Sequence, residues 1–180
     1  TGTETSVKIM DNIDLENNYI AASKDTAPLY HPDRIRDLEI SNTHWYFNAG
    51  ITLMNLEALR KIDLSKKIHD YAKRHFNQIT SPDQDVLNYI CQGHTIYIHP
   101  RYNMNYNVEK DVAISTWGKE QVKEAKQSPA IIHYIGPIKP WHILCTHPQR
   151  KLWWNMLQLT IYKDFKPKDA NLKNYIKKYY

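Results

Sequence analysis

A ten-residue segment, 133–142 (His-Tyr-Ile-Gly-Pro-Ile-Lys-Pro-Trp-His), carries several groups that could bind a charged ligand. An apolar run, residues 130–132, leads directly into His133, whose imidazole can ligate a metal. Gly136 would let backbone N–H groups approach an anion, and Lys139 supplies positive charge between two prolines. This combination suits a metal-bound diphosphate. On these residues alone, a proline-rich turn with a structural histidine fits equally well.

A second candidate segment is Asp83-Gln84-Asp85, which follows Ser81 and Pro82. Ser81 is a predicted helix N-cap, Pro82 suits the first helical position, and Gln84 would complete a capping box. Carboxylates accept hydrogen bonds from sugar hydroxyls, and the Gln84 amide both donates and accepts them. For Asp85, the favoured interpretation is an acid that interacts with the helix dipole.

Two further polar positions lie beside predicted strands. Asn48, Ala49 and Gly50 interrupt the apolar run 45–56, which predicts a buried strand with a bulge or a close backbone approach at Gly50. A buried Asn48 needs hydrogen-bond partners, either in the neighbouring backbone or in a cleft. Asp25 follows the predicted strand 18–23 and has the same two interpretations.

Composition sets broad limits on the class of protein. The chain has 180 residues, a net charge of +5 and 42% hydrophobic residues, which suffices for one globular domain or a large part of one. Its positive charge favours acidic partners. The basic residues concentrate only in the tail, so nucleic acid is not an expected partner. Cys91 and Cys145 are far apart, which favours a reduced compartment over a metal site.

Alternating patterns predict an α/β fold. Strands are expected at 18–23, at 45–56, near 97–98 and at 129–135. Helices are expected after residue 56, from residue 81, from Pro148 to about Tyr162, and over the basic tail 166–180. Residues 26–44 are expected to form a loop with one helical turn. The predicted domains are 1–162 and a basic, aromatic tail, 163–180.

Taken in order, four segments resemble glycosyltransferase family 8, the retaining GT-A type enzymes that include bacterial lipopolysaccharide galactosyl- and glucosyltransferases. The matching segments are 19–25 (YIAASKD), 46–56 (YFNAGITLMNL), 83–88 (DQDVLN) and 133–141 (HYIGPIKPW). The resemblance covers about residues 12–162. It implies the C-terminal portion of a GT-A fold, a mixed sheet flanked by helices with a C-terminal helical tail.

The resemblance also implies a role for each candidate residue. His133 would be a ligand to manganese, or magnesium, that bridges the UDP diphosphate, and Gly136 and Lys139 would contact that diphosphate. The implied donor-sugar contacts are Asn48, Ala49, Gly50 and Asp83. Gln84 would lie below the anomeric carbon and stabilise oxocarbenium charge through its carbonyl oxygen, while Asp25 would contact the sugar or the acceptor.

One departure from the family pattern concerns the nucleotide. The Asp-x-Asp motif on a strand end and the uridine-binding half do not occur in these 180 residues, and the family pattern places that motif just before Thr1. The remaining acidic metal ligands are therefore expected upstream. As it stands, the chain is expected to bind metal and UDP weakly and to be inactive.

The implied activity is transfer of a hexose from a UDP-sugar to a saccharide or glycolipid acceptor in cell-surface or lipopolysaccharide synthesis. The implied location is the cytoplasm, with peripheral contact of the tail at the inner face of the cytoplasmic membrane. One alternative is a non-catalytic saccharide-binding or scaffold module with the same fold. Another is a nucleic-acid binder, which a steep salt dependence of binding would reveal.

Overall fold

The computed structural model describes residues 12–41 and 45–179, without the side chains of Arg34, Tyr175 and Tyr179. The chain forms two compact units, Thr1–Met104 with Val108–His133 and Asn105–Asn107 with Tyr134–Tyr180. The division into domains at residues 162 and 163 stays a prediction.

The first unit contains a three-stranded mixed sheet in the order β2-β1-β3. Its strands are β1, Ile20–Lys24, β2, Phe47–Met54, and β3, Thr95–Tyr97. The central strand β1 pairs antiparallel with β2 and parallel with β3. With helices between the strands, this arrangement confirms the predicted mixed sheet of an α/β fold.

A wide irregularity in β2 confirms the predicted bulge. Ala22 pairs with Thr52 and Lys24 pairs with Phe47, so β1 advances two residues (22 to 24) while β2 advances five (47 to 52). The extra residues of β2 include Asn48, Ala49 and Gly50. Bulges of this kind bend a strand and re-aim its side chains, so the candidate residues are turned out of the regular ladder.

Two apolar clusters hold the first unit together. One joins the strands to the helices around them and consists of Ile20, Ala22, Phe47, Leu59 and Cys91. The other consists of Leu38, Ile40, Tyr46, Tyr71 and Val86. Fully burying a large apolar side chain contributes about 1.5–3 kcal/mol, so these clusters fix the strand ends that carry the polar candidates.

The helices of the first unit follow the strands in sequence. They are α1, Ala27–Tyr30; α2, Pro32–Asp37; α3, Leu56–Lys61; α4, Leu64–Arg74; α5, Pro82–Ile90; α6, Lys110–Trp117; and α7, Lys119–Gln127. A 3₁₀ helix spans Pro100–Asn103. The second unit contains α8, Arg150–Leu157, and α9, Leu172–Tyr179.

The strand predicted at 129–135 is wrong, and it is the largest difference between the predicted and the observed elements. The structure has a single parallel bridge there, between Ile132 and Met104. Residues 129–135 are half-buried instead of buried. The apolar run therefore lies along the 3₁₀ segment through backbone hydrogen bonds from Met104 to Ile131 and from His133 to Met104, without joining the sheet.

Three other expectations differ from the structure. The helix expected to reach Tyr162 ends at Leu157, and turns follow it. Residues 26–44 contain two short helices, α1 and α2, and residues 42–44 of that expected loop lie outside the described residues. Helices α6 and α7 were not predicted; five of the nine residues of α7 are charged, and Gly118, at φ +85°, separates the two helices.

Candidate functional site

Helix α5 is fixed onto β2 by polar side chains. Asn88 accepts a hydrogen bond from the Phe47 N–H at 2.7 Å and donates to the Phe47 carbonyl at 2.9 Å, which imitates the pairing of a neighbouring strand. Asn88 is fully buried. Since buried amide groups need partners, this contact sets both the position and the rotation of α5 against the strand.

Asp85 has a structural position, as expected. Its carboxyl group is fully buried, accepts hydrogen bonds from the backbone N–H groups of Thr80 and Ser81 at 2.8 Å each, and is hydrogen-bonded by the Tyr46 hydroxyl. The predicted capping box is wrong, because Ser81 makes no capping hydrogen bond through its side chain. Asp85, one turn further on, supplies the acceptor for the start of the helix instead.

Because Asp85 supplies this acceptor, the Gln84 side chain does not cap α5 and instead forms hydrogen bonds towards β2. Its Oε1 accepts from the Ala49 N–H at 3.0 Å, and its Nε2 donates to Oδ2 of Asp25 at 3.3 Å. Oδ2 of Asp25 also accepts from Nδ2 of Asn48 at 2.7 Å, while Oδ1 accepts from the Ala27 N–H at 2.7 Å. The structure thus brings together Asp25, Asn48, Ala49 and Gln84.

The backbone of Gly50 orients the next part of this network. Its N–H donates to Oδ1 of Asn48 at 3.0 Å, which identifies that atom as the oxygen. Asn103 must then present its Nδ2 to the same oxygen, at 2.9 Å, and its own Oδ1 to Nδ1 of His133, at 2.8 Å. Because Oδ1 can only accept, the Nδ1 of His133 carries a proton and Nε2 is the acceptor nitrogen.

Gly50 also lies directly against the imidazole. A methyl group added at Gly50 would lie 2.0 Å from Cε1 of His133. The close approach predicted from sequence is therefore confirmed, with a side chain as the neighbour. Only a residue without Cβ leaves the imidazole in this place.

The resulting cluster is polar and partly open to solvent. Asp25, Asn48, Gln84 and His133 are half-buried, whereas Asn103 is buried. The amides of Asn48, Gln84 and Asn103 each use both their oxygen and their nitrogen in hydrogen bonds, and Asp25 uses both carboxylate oxygens. Oδ1 of Asp25 and Oε1 of Gln84 each accept one hydrogen bond, so each keeps a further lone pair. Such a cluster can exchange hydrogen bonds with a neutral polyhydroxylated ligand.

The other predicted site residues are placed differently. Asp83 is exposed in the first turn of α5 and makes no hydrogen bond to another described residue in the network. In the second unit, Gly136 has φ +84°, which favours glycine. Also in that unit, Nζ of Lys139 donates to the carbonyl of Tyr134 at 2.6 Å, and the Lys139 N–H donates to Nδ1 of His142 at 2.8 Å.

The described residues alone do not form a metal site. Within residues 12–41 and 45–179, no group of three or more His, Cys, Asp or Glu side chains is placed to hold a metal ion. His133 is a side chain of metal-ligating type, and the carboxamide oxygen of its neighbour Asn103 is already hydrogen-bonded to the ring. The residues present thus fit one ligand of a metal and not a complete set.

Sequence reasoning missed Asn103 and the contacts of Asn88. Asn103 lies on the 3₁₀ helix, and its sequence, Arg-Tyr-Asn-Met-Asn, has no pattern that distinguishes a site residue from a loop residue. For Asn88, a signal existed: it stands four residues after Gln84, on the same face of a helix.

The family comparison covers most of the chain. Residues 3–145 match the sequence profile of glycosyl transferase family 8. Among curated proteins, the chain is 29% identical over 153 residues to general stress protein A of Bacillus subtilis, covering 83% of this chain and 52% of the relative. It is 32% identical to a putative glycosyltransferase of Haemophilus influenzae, covering 82% and 43%.

A third relative is the lipopolysaccharide 1,2-glucosyltransferase of Escherichia coli K12, 29% identical over 88% of this chain and 47% of the relative. The chain thus spans about half the length of these relatives. Its fold is similar to that of the galactosyltransferase LgtC, solved with donor and acceptor sugar analogues. The TM-score is 0.72 and the identity 24%, over 86% of this chain and 56% of LgtC. On the profile match, this chain belongs to glycosyl transferase family 8.

Proposed function

We propose that the natural protein transfers a hexose from a UDP-sugar to a saccharide or glycolipid acceptor, with retention of the anomeric configuration, in cell-surface or lipopolysaccharide synthesis. The observation that carries this proposal is the convergence of Asp25, Asn48, Gln84 and His133, from four separate segments, in one polar cluster. Relatives named as lipopolysaccharide glucosyl- and galactosyltransferases support the acceptor class.

The cluster suits a sugar for a physical reason. Donor hydroxyls need both donors and acceptors, and the cluster offers the carboxylate of Asp25, two amides and the backbone at the β2 bulge. The Oε1 of Gln84 already accepts one hydrogen bond, from Ala49, and keeps a second lone pair. We assign that lone pair to the developing positive charge at the anomeric carbon, which preorganised dipoles stabilise.

Retention requires either a protein nucleophile on the face opposite the leaving group or attack by the acceptor on the same face as the leaving group, and Gln84 is a weak nucleophile. A carboxamide attacks carbon poorly, and both ends of this one are held, by Ala49 and by Asp25. We therefore propose same-face attack by the acceptor hydroxyl, with its proton passing to the departing diphosphate. Asp83, exposed on α5, would orient the sugar, while Gly136 and Lys139 would contact the diphosphate.

Family 8 enzymes with the GT-A fold typically use a divalent metal. We propose manganese, or magnesium, as the cofactor of the natural protein, with Nε2 of His133 as one ligand. The other ligands would come from sequence outside the described residues, because these hold no cluster of three suitable side chains.

We also propose that these 180 residues alone do not catalyse transfer. The support is that the chain covers 52%, 43% and 47% of three relatives. Isothermal titration of the 180-residue chain with manganese and UDP-glucose should give no micromolar binding. Micromolar binding would contradict this part of the proposal.

A cytoplasmic protein at the inner face of the membrane is proposed from the second unit. Leu159 and Ile161 are 80% and 88% exposed, and α9 exposes Leu172 among several lysines. No helix among the described residues is long and apolar enough to cross a bilayer. Co-sedimentation with anionic vesicles tests the contact, and replacing Leu159 and Ile161 by serine should reduce it.

The transfer proposal is tested by incubating the natural protein, with any sequence that flanks this chain, with UDP-glucose and UDP-galactose in separate reactions. We expect one donor to be consumed in a metal-dependent reaction and to yield an α-linked product. Binding of saccharide without consumption of either donor would favour the non-catalytic saccharide-binding module.

A further inference from the structure

A second cleft opens on the first unit, at the ends of β1 and β3. Its volume is about 340 Å³, and it is lined by Lys24, Tyr97, Ile98, His99, Thr116, Trp117 and Gln121. Ligand sites of proteins begin at about 300 Å³, so the cleft has room for a single sugar ring. None of the lining residues belongs to the cluster formed by Asp25, Asn48, Gln84, Asn103 and His133, so the cleft is distinct from that cluster.

Lys24 gives the cleft a positive charge. Its Nζ lies 4.6 Å from the ring centroid of Trp45 and 5.9 Å from that of Tyr97. Among the ion pairs of the described residues, none involves Lys24. Aromatic faces attract a cation without neutralising it, so the ammonium group remains able to bind an anion.

The indole of Trp117 adds one hydrogen-bond donor to the cleft. Nε1–H of Trp117 is buried and has no hydrogen-bond partner within the described structure. Nδ1 of His99 accepts from the Arg101 N–H at 3.1 Å, so the neutral ring carries its proton on Nε2. That nitrogen lies 3.4 Å from Glu124, which also pairs with Arg101. The Nε2–H of His99 therefore faces the Glu124 carboxylate, which it shares with Arg101, and not a ligand in the cleft.

We propose that this cleft binds an acidic saccharide unit, one that carries a carboxylate or a phosphoryl group. The Trp117 N–H and the Lys24 ammonium group select a ligand with anionic acceptor atoms. Tyr97 and Trp117 offer the apolar ring faces on which sugars stack. The inference rests on the proposed function in one respect, namely that the ligand is part of a glycan acceptor.

The test uses the indole N–H resonances of the protein labelled with ¹⁵N-tryptophan. The chain has five tryptophans, and Trp117→Phe identifies the signal of Trp117 by its loss. The protein is titrated separately with glucuronate, glucose 6-phosphate, glucose and inorganic phosphate, with no UDP-sugar present. We expect at least one of the two acidic sugars to shift the Trp117 signal saturably, with a dissociation constant at least about tenfold lower than that of glucose.

Substitution of Lys24 gives the second arm. Lys24→Met keeps the alkyl chain and removes the charge, so it should weaken acidic-sugar binding about tenfold or more, whereas Lys24→Arg should retain it. Lys67→Met, on exposed helix α4, is the matched control and should leave binding within about twofold. Melting curves confirm that each variant is folded.

Three results would overturn the inference. The first is that glucose binds as tightly as the acidic sugars. The second is that inorganic phosphate binds as tightly as glucose 6-phosphate while glucuronate does not bind, and the third is that Lys24→Met and Lys67→Met have equal effects. A preference for glucuronate or for glucose 6-phosphate identifies the anionic group. The binding titrations contain no UDP-sugar, so their result does not depend on donor turnover. If the separate assay showed no donor consumption, the transfer proposal would be contradicted and the acidic-sugar binding would stand. Consumption of a donor without acidic-sugar binding would remove only the present inference.

Discussion

Oδ1 of Asn103 lies 2.8 Å from Nδ1 of His133, and the orientation of Asn103 is dictated by a chain of hydrogen bonds that begins at the Gly50 N–H. The bond fixes the ring and assigns the proton to Nδ1. A buried amide thus decides which histidine nitrogen can accept a proton or a metal. Orientation of a histidine by a neighbouring acceptor is a common support for ligand residues.

Asn103→Leu should remove the preference of His133 for the tautomer protonated at Nδ1. Leucine is similar in size and cannot accept a hydrogen bond, so the proton should distribute between Nδ1 and Nε2. Two-dimensional NMR of the ¹⁵N-labelled imidazole reports the tautomer directly. Asn103→Asp keeps an acceptor at Oδ1 and serves as the control. A His133 that stays protonated at Nδ1 in the leucine variant would show that Asn103 is not the positioning residue.

Gly50→Ala should displace the imidazole of His133, because the new methyl group would lie 2.0 Å from Cε1. Relief of such an overlap costs about 1–3 kcal/mol. Gly118→Ala is the matched control: its φ of +85° strains alanine by about 1–3 kcal/mol, but nothing lies within 4 Å of the added group. Both variants should have a lower melting temperature than the unchanged protein, and only Gly50→Ala should change the NMR signals of His133. Unchanged signals would contradict the close packing.

Asp83 and Asp85, two residues apart on α5, should separate function from stability. Asp85→Asn places an amide against the N–H groups of Thr80 and Ser81 and should lower the free energy of unfolding by about 2–4 kcal/mol. Asp83→Asn, at an exposed position, should change it by less than about 1 kcal/mol while lowering kcat/KM for donor consumption. Urea denaturation and initial rates measure the two effects. A loss of stability in Asp83→Asn, together with a loss of kcat/KM in a stable Asp85→Asn, would contradict these two assignments.

The second unit should lose stability as the pH falls. Burial lowers the pKa of His147 below its ordinary value of 6.5, and its Nδ1 accepts from the Gln149 N–H at 3.1 Å. The unfolded chain therefore binds this proton more readily, so His147 contributes stability above pH 6.5 that is lost as the pH falls towards the lowered pKa. His147→Asn keeps an acceptor for Gln149 and does not titrate. It should show a smaller fall of Tm between pH 7.5 and 5.5. An equal fall in both proteins would contradict this assignment.

Local patterns predicted the elements whose residues have one dominant environment. Apolar residues at 20–22 and 45–47 made the strands evident, and the glycine in β2 marked the bulge. The errors arose where a polar side chain forms hydrogen bonds with backbone groups outside its own local pattern. Gln84 looked like a capping residue from sequence, but Asp85 takes that role since Tyr46 and the start of α5 both lie beside it.

The candidate site was predictable only in part for the same reason. Asn48, Gln84 and His133 stood in recognisable segments, whereas Asn103 was visible only after the 3₁₀ helix had been placed beside the bulge. The strand expected at 129–135 failed because its apolar residues pack beside that helix at a single bridge. Long-range pairing of this kind leaves no periodic trace in the sequence.

The central claim is that the cluster around His133 is the donor site of a family 8 transferase. Its most direct test is the rate at which the natural protein and its His133→Ala variant consume UDP-glucose and UDP-galactose, with exposed His69→Ala as the control. We predict a loss of about 100-fold or more for His133→Ala, an unchanged rate for His69→Ala, and closely similar melting temperatures. Equal rates in all three proteins would contradict the claim.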